Sequence, residues 1–233
     1  MAATFSSLGP RARWVVVVLL IVVVADVASI LSDAEQIGLM NRVIDGEEVT
    51  VSELDSSDDH QALAGLAQLG LLLVSTIVFL RWFSAAYRNL LPLGATSRRF
   101  TPGWAIGAWF IPILNLWRPK QIANDIWRAS EVDAPPDQGD AWRERPVSPL
   151  VTWWWAAWVA GGIVGNTVLR LSFRSDTPEA LRDAVSADIL ALVLDIVAAV
   201  LAILVVRAVT ARQELRADRL AAVGAQGAEP VPA

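Results

Sequence analysis

The chain of 233 residues has no cysteine, one histidine (His60), one lysine (Lys120), one tyrosine and two methionines. Without cysteine there is no disulfide framework, no thiol nucleophile and no thiolate metal site. A single histidine, at the outer edge of an apolar run, cannot make a multi-histidine metal centre. The sequence also lacks an internal repeat, a phosphate-binding glycine loop, an H-E-x-x-H pair and a nucleophilic-serine signature. No catalytic residue, metal ligand or cofactor is therefore nominated, and a non-enzymatic protein is expected. Basic residues are scarce too: the net charge of −5 carries no nucleic-acid footprint.

Apolar residues are what the chain has in excess. They make up 55% of it, and the mean hydropathy is +0.46, outside the range of ordinary soluble domains. They gather in four runs at about 14–31, 62–80, 150–169 and 185–206. Each is close to the roughly 20 residues a helix needs to cross a bilayer. The expected fold is an all-α membrane protein with four transmembrane helices. The first run follows Arg11 and Arg13 as a signal peptide would, but its apolar part is too long and "SILSDAEQ" is a weak cleavage site. It is read as a retained span.

The nineteen basic residues divide as two before the first run, one in 32–60, nine in 81–149, three in 170–184 and four after Val206. Under the positive-inside rule this gives a multi-pass protein of the cell membrane with both termini cytoplasmic. The domain order is a cytoplasmic N-terminus (1–13), one membrane domain (14–206) and a cytoplasmic helix with a disordered tail (207–233). The outer segment 32–60 carries nine acids and one arginine, and is read as a solvated loop. Its "DSSDD" lacks the alternating ligands and glycine of a calcium loop. All eleven tryptophans fall on the inner side of this topology, as an interfacial belt does; an aromatic cage for a quaternary ammonium is the alternative.

Between the second and third runs lies "TPGWAIGAWFIPILNLWRPKQIANDIWRAS", Thr101 to Ser130. Thr101 can cap a helix starting at Pro102. The apolar part, Trp104 to Trp117, is too short to span, and Pro112 breaks it. Asn115 can satisfy backbone groups left open there. Pro119 then starts an amphipathic helix with Ile122, Ala123, Ile126 and Trp127 on one face. Together the half-span (102–117) and this helix (119–130) read as a re-entrant or interfacial broken helical hairpin. A plain cytoplasmic helix and a complete fifth span are the alternatives; the fifth span would put nine basic residues outside.

This run is similar to the signature of an actinobacterial integral-membrane family, domain of unknown function 4328, with the pattern P-G-W-A-x-G-x-x-F-x-P-x-x-N-L-x-R-P-x-Q-x-x-x-x-x-W-R-A-S. The resemblance implies a multi-span bacterial membrane protein and supplies no reaction or ligand. It marks Pro102, Gly103, Trp104, Gly107, Phe110, Pro112, Asn115, Arg118, Pro119, Gln121, Trp127 and Arg128 as motif residues without an assigned role. Lys120 departs from the pattern, which often has an aromatic residue there.

Inside the runs, Asp26, Gln68 and Asp195 lie about 11–12 residues from the inner boundary, roughly 16–18 Å deep. Each should face the bundle interior. Structural hydrogen bonding across helices is the preferred reading, and a proton or cation relay with Gln68 as a bridge is the alternative. Gly161 and Gly165 form a G-x-x-x-G packing face. The stretch "EVDAPPDQGDAWRERPVSP" reads as a polar linker rich in proline and acid, and the segment after Val206 as a solvated helix that frays into a disordered tail. The expected function is a lipid- or partner-interacting membrane component, whose partners are the bilayer, anionic headgroups met by Arg118, Lys120 and Arg128, or another membrane protein. A small proton- or cation-coupled transporter or channel is the alternative. Oligomeric state is not legible.

Overall fold

The computed structural model describes residues 4–47, 51–172 and 177–226, without the side chains of 51–62, 64, 172, 178 and 226. The side chains of the "DSSDD" acids and of His60, and the tail from 227 onward, thus lie outside what is described. Every regular element among the described residues is helical: α1 (Gly9–Ile44), α2 (Val51–Arg88), α3 (Trp104–Gly107), α4 (Arg118–Ala129), α5 (Pro149–Ser172) and α6 (Pro178–Gln226), with 3-10 turns at Leu114–Leu116 and Ala141–Glu144.

Three of these helices contain segments long and apolar enough to cross a membrane: Gly9–Ile44, Gly65–Arg88 and Glu179–Ala225. By length and composition these three helices suit a membrane. Four spans were expected; α5 falls short in apolar character because Trp153, Trp154, Trp155, Gly161, Gly162, Gly165 and Asn166 dilute its aliphatic residues.

The long helices run well past the apolar runs. The segment from Ser32 was expected to be a loop, yet α1 continues to Ile44 and α2 resumes at Val51. Ala34, Glu35, Gln36, Leu39 and Met40 are all good helix formers, and no glycine-proline break intervenes. The stop comes at Gly46, whose φ of 76° suits glycine. Its N–H donates to the Val43 carbonyl at 3.2 Å, and the Glu47 N–H to the Arg42 carbonyl at 2.9 Å, satisfying two end carbonyls of α1.

Two compact units share the chain: Met1–Val16 with Ile77–Trp153 and Ile203–Ala233, and Val17–Thr76 with Trp154–Ala202. The first unit has an aromatic core. Phe79 lies 5.6 Å from the rings of Trp82, Phe83 and Trp109. Trp82 donates its indole N–H to Thr210 Oγ1 at 3.0 Å. Tyr87 closes a reciprocal pair, its hydroxyl donating to the Phe100 carbonyl at 3.0 Å and accepting the Phe100 N–H at 2.9 Å. The N-terminus of α1 is capped from α6: Glu214 Oε1 accepts the N–H groups of Leu8 (2.7 Å) and Gly9 (3.2 Å) and the hydroxyl of Ser7 (2.8 Å). A carboxylate there also suits the positive end of the helix dipole.

The apolar face of α4, which the sequence leaves open to a membrane surface, is instead covered by the protein: Pro119, Ile122, Ala123, Ile126 and Ala129 are all buried. Burying Ile122 and Ile126 contributes about 1.5–3 kcal/mol each, so this face is core.

The second unit has the opposite pattern. Asp26, Asp33 and Gln36 are buried, while Val24, Leu31, Leu66, Leu72 and Ile163 are each at least 60% exposed. A large apolar outer surface around polar interior groups fits a hydrocarbon surround.

Candidate functional site

The motif segment begins with the Thr101 carbonyl accepting the Trp104 N–H at 3.0 Å. The Thr101 hydroxyl was expected to cap this helix; the cap position is Gly103, and no side chain bonds there. Helical bonding lasts only through α3 and a following turn, and the chain reverses at Pro112–Ile113. Ile113 sits at φ 66°, ψ −56°, and the Leu114 N–H donates to the Pro112 carbonyl at 2.6 Å. This is a three-residue turn of the strained hand, rare for a β-branched residue. The break is closed by backbone, including Asn115 N–H to the Ile111 carbonyl at 3.0 Å. Asn115 was expected to supply its amide; it is half-exposed and makes no side-chain hydrogen bond among the described residues.

Around this turn Ile106, Phe110, Ile111, Ile113, Leu116 and Trp117 are exposed, with Phe110 at 66% and Ile113 at 69%. They form an apolar tip. Its base is held by Arg118, whose guanidinium lies 4.4 Å from the Phe100 ring and 5.3 Å from the Trp104 ring. Both distances are within cation–π range. The adjoining Pro119 is buried at the start of α4. At the far end of the motif, the Trp127 ring carries the Arg212 guanidinium at 4.3 Å, and Arg212 also pairs with Glu131 at 2.8 Å. A Cβ at Gly103 or Gly107 would meet nothing within 4 Å, so packing does not explain those glycines. Gln121 is half-buried and makes no side-chain hydrogen bond among the described residues.

Asp125 points inward from the same helix. It is fully buried, and neither carboxylate oxygen has a hydrogen bond among the described residues. Arg99 Nη2 stands 3.5 Å from Oδ1. Burial pushes the Asp125 carboxyl up to about 6, against the opposing pull of Arg99, Arg128 and Arg143. Motif residue Arg128 therefore serves an internal acid as well as any external anion.

A polar network underlies this base, and the sequence reading missed it. Gln213, fully buried, donates to the Ala86 carbonyl and Ser130 Oγ, both at 3.0 Å, and accepts from Asn89 Nδ2 at 3.1 Å. Asn89 in turn exchanges bonds with the backbone of Ser6 at 3.0 and 2.8 Å. Arg216, 1% exposed, donates to the carbonyls of Leu93 (2.8 Å), Glu131 (2.8 Å), Ala134 (2.9 Å) and Pro135 (2.8 Å). Gln138 donates to the Leu93 and Ala129 carbonyls at 2.8 and 3.0 Å and accepts from Arg145. The 131–149 linker and the start of the C-terminal segment, expected to be a solvated helix, are thus anchored in the first unit through Gln138, Trp142, Gln213 and Arg216, while linker residues such as Asp133 and Pro135 stay exposed. One signal was available: Val206, Val209, Gln213 and Arg216 recur at helical spacing and continue the buried stripe of α6.

In the second unit, Asp26 is 6% exposed and its Oδ2 has no hydrogen-bond partner among the described residues. Asp195 is within electrostatic reach of it. Gln68 donates to Ser29 Oγ at 2.9 Å and makes no hydrogen bond to either carboxylate among the described residues, so the bridge imagined from depth alone is not formed. The tryptophans are divided: Trp82, Trp142, Trp154 and Trp155 are buried, whereas Trp14 and Trp153 are about two-thirds exposed, at 65% and 67%.

Compared with curated proteins and with solved structures, the chain finds no match. The family model described as Domain of unknown function (DUF4328) matches residues 45–211, a span that takes in the whole Thr101–Ser130 motif, and the chain belongs to that family.

Proposed function

We propose that this protein is a non-enzymatic, multi-pass component of a bacterial cell membrane, actinobacterial by the resemblance of its motif, that engages lipid at the inner leaflet. In this reading α1, α2, α5 and α6 are four spans, both termini are cytoplasmic, and the Trp104–Trp117 tip enters the membrane from the inner side as a re-entrant element. At about 1.5 Å per residue, the 24 residues of α5 reach about 36 Å, enough for a crossing. The observation that carries the reading is the exposed apolar tip from Ile106 to Trp117 standing on a base fixed by Arg118, α4 and the buried Gln213 and Arg216. An apolar tip on a rigid polar base is suited to insertion among acyl chains, with Lys120, Arg118 and Arg128 near anionic headgroups.

Two measurements test it. With cysteines placed singly at Glu47, Asp133 and Ala225, all exposed, an impermeant maleimide should label intact cells only at position 47; labelling at 133 overturns the topology. A fluorophore on Ile113→Cys in nanodiscs should emit as in an apolar medium and be quenched by lipids spin-labelled on their acyl chains. Emission as in water refutes insertion.

The buried Asp26, with an unsatisfied oxygen and Asp195 nearby, favours a second reading as a small proton- or cation-coupled transporter. Proton-coupled flux in vesicles unchanged by Asp26→Asn and Asp195→Asn would remove it.

A further inference from the structure

The glycine face of α5 does more than permit close packing. A Cβ placed on Gly161 would lie 2.9 Å from Asp195 Oδ1, so the carboxylate of α6 rests against bare α5 backbone. Beside this contact is a groove of about 330 Å³ lined by Trp158, Gly161, Gly162, Gly165, Asn166 and Asp195. That is the lower end of the size range of small-ligand sites. One wall is aromatic and pre-set, since the Trp158 ring stacks on Trp155 at 4.8 Å and 27°.

The charge of the groove selects its occupant. Asp195 is the one ionisable residue among its lining residues, and no basic residue lines it. Asp195 is exposed and has no hydrogen bond or ion pair among the described residues. Its charged neighbours Asp26 and Asp188 are acids as well. In the four-span reading proposed above, on which this step rests, the Asp195 carboxylate faces hydrocarbon, where an unpaired charge is costly and calls for a cation. A bare metal ion is poorly served, because one carboxylate and one amide fall well short of the six or more oxygens that hard divalent cations take. An indole face beside a carboxylate instead matches an alkylated ammonium, which binds through cation–π attraction and ion pairing while its apolar body lies along the glycines. A second copy of this chain would bring two Asp195 carboxylates together.

We propose that the α5–α6 groove is a binding site for a small organic cation, an ammonium with an apolar body, with Asp195 as its counter-ion and Trp158 as its aromatic wall. The site requires neither lipid insertion of the motif tip nor transport.

The test is equilibrium dialysis of tritiated phenyltrimethylammonium against the full-length protein in nanodiscs, with empty nanodiscs subtracted. Saturable binding is expected, weakened at least tenfold by Asp195→Asn and several-fold by Trp158→Leu. It should be unaffected by Asp183→Asn, an exposed acid on the same helix. The neutral isostere tert-butylbenzene should not compete. If D195N does not elute like the parent protein, Gly165→Leu fills the groove from a position where a Cβ meets nothing within 4 Å; tenfold weaker binding then supports the site. No saturable binding by the parent, or equal binding by D195N or G165L, overturns it. So does disulfide cross-linking between copies carrying Leu169→Cys, since Leu169 also lines the groove and the cross-link would place a second chain on it.

Discussion

Replacing Arg216 should loosen the first unit, and the choice of replacement separates charge from geometry. The guanidinium supplies four hydrogen bonds at 2.8–2.9 Å from a side chain that is 1% exposed. Two of the four acceptors keep another donor when it is removed: the Leu93 carbonyl retains Gln138 Nε2 at 2.8 Å, and the Glu131 carbonyl retains the Ala134 N–H at 3.4 Å. The carbonyls of Ala134 and Pro135 lose their donor, and Pro135 is exposed enough to be rehydrated. Bonds from a charged donor contribute about 1.5–3 kcal/mol each, but removing a buried charge also removes its desolvation cost. The net loss for Arg216→Met is therefore on the order of 3 kcal/mol, not the sum of four bonds. For a chain of this size that corresponds to a fall of roughly 6–12 °C in the melting midpoint.

Arg216→Lys should be no milder. An ammonium keeps the buried charge but cannot reproduce a planar fork aimed at four carbonyls. The assay is thermal unfolding in detergent alongside amide exchange over residues 134–141, where the Gln138 N–H is bonded to the Gly94 carbonyl at 3.0 Å. Both variants should speed exchange there before global unfolding. If Lys restores the midpoint and the protection, the fork argument is wrong and charge alone suffices. If Met changes neither, Arg216 does not hold the 131–138 segment.

Asp125 predicts a pH dependence with a definite sign. Its carboxyl titrates at about 6 when folded and near its ordinary value of 3.8 when unfolded, so the folded state holds the proton more tightly. Its stabilising contribution is complete below about pH 4 and is lost as pH rises through 6, on the order of 3 kcal/mol in all; Asp125→Asn should flatten that slope between pH 4 and 7 in thermal melts, and an unchanged slope would refute the assignment. Gly94→Ala should destabilise by more than about 2 kcal/mol, because Gly94 has φ 90° and a Cβ would overlap the Pro136 carbonyl. A melting midpoint within 1 °C of the parent would contradict that geometry.

The helical class, with helices apolar enough to span a membrane, and the break at Pro112 were legible because hydropathy and proline act locally. A long apolar run has one favourable solvent, and a ring nitrogen cannot donate whatever surrounds it. What was not legible depended on partners far along the chain. Gln213 and Arg216 look like surface residues within "ARQELRADR", and only the carbonyls of Leu93, Ala86 and residues 131–135 make them interior. The same holds for Asp125, which reads as the polar side of an amphipathic helix until Arg99 appears opposite it. α5 is the expected span that falls short in apolar character, since tryptophan and glycine lower its hydropathy although an indole suits a membrane boundary and a glycine a helix seam.

The motif's separate residues acquire a common logic once their neighbours are known. Pro112 and the strained Ile113 turn the chain so that an apolar tip protrudes. Arg118, spread over Phe100 and Trp104, and Pro119, buried at the head of α4, fix the direction in which it protrudes. Trp127 and Ser130 then join that helix to α6 through Arg212 and Gln213. The apolar residues of α4 are used up in holding it, and in the tip Trp109 packs inward on Phe79 and Phe83 while Phe110 and Ile113 stay exposed. A segment whose anchoring half is buried while its protruding half is apolar and strained has an outer face that the chain itself does not cover, and that face is the one the proposed contact with lipid would use.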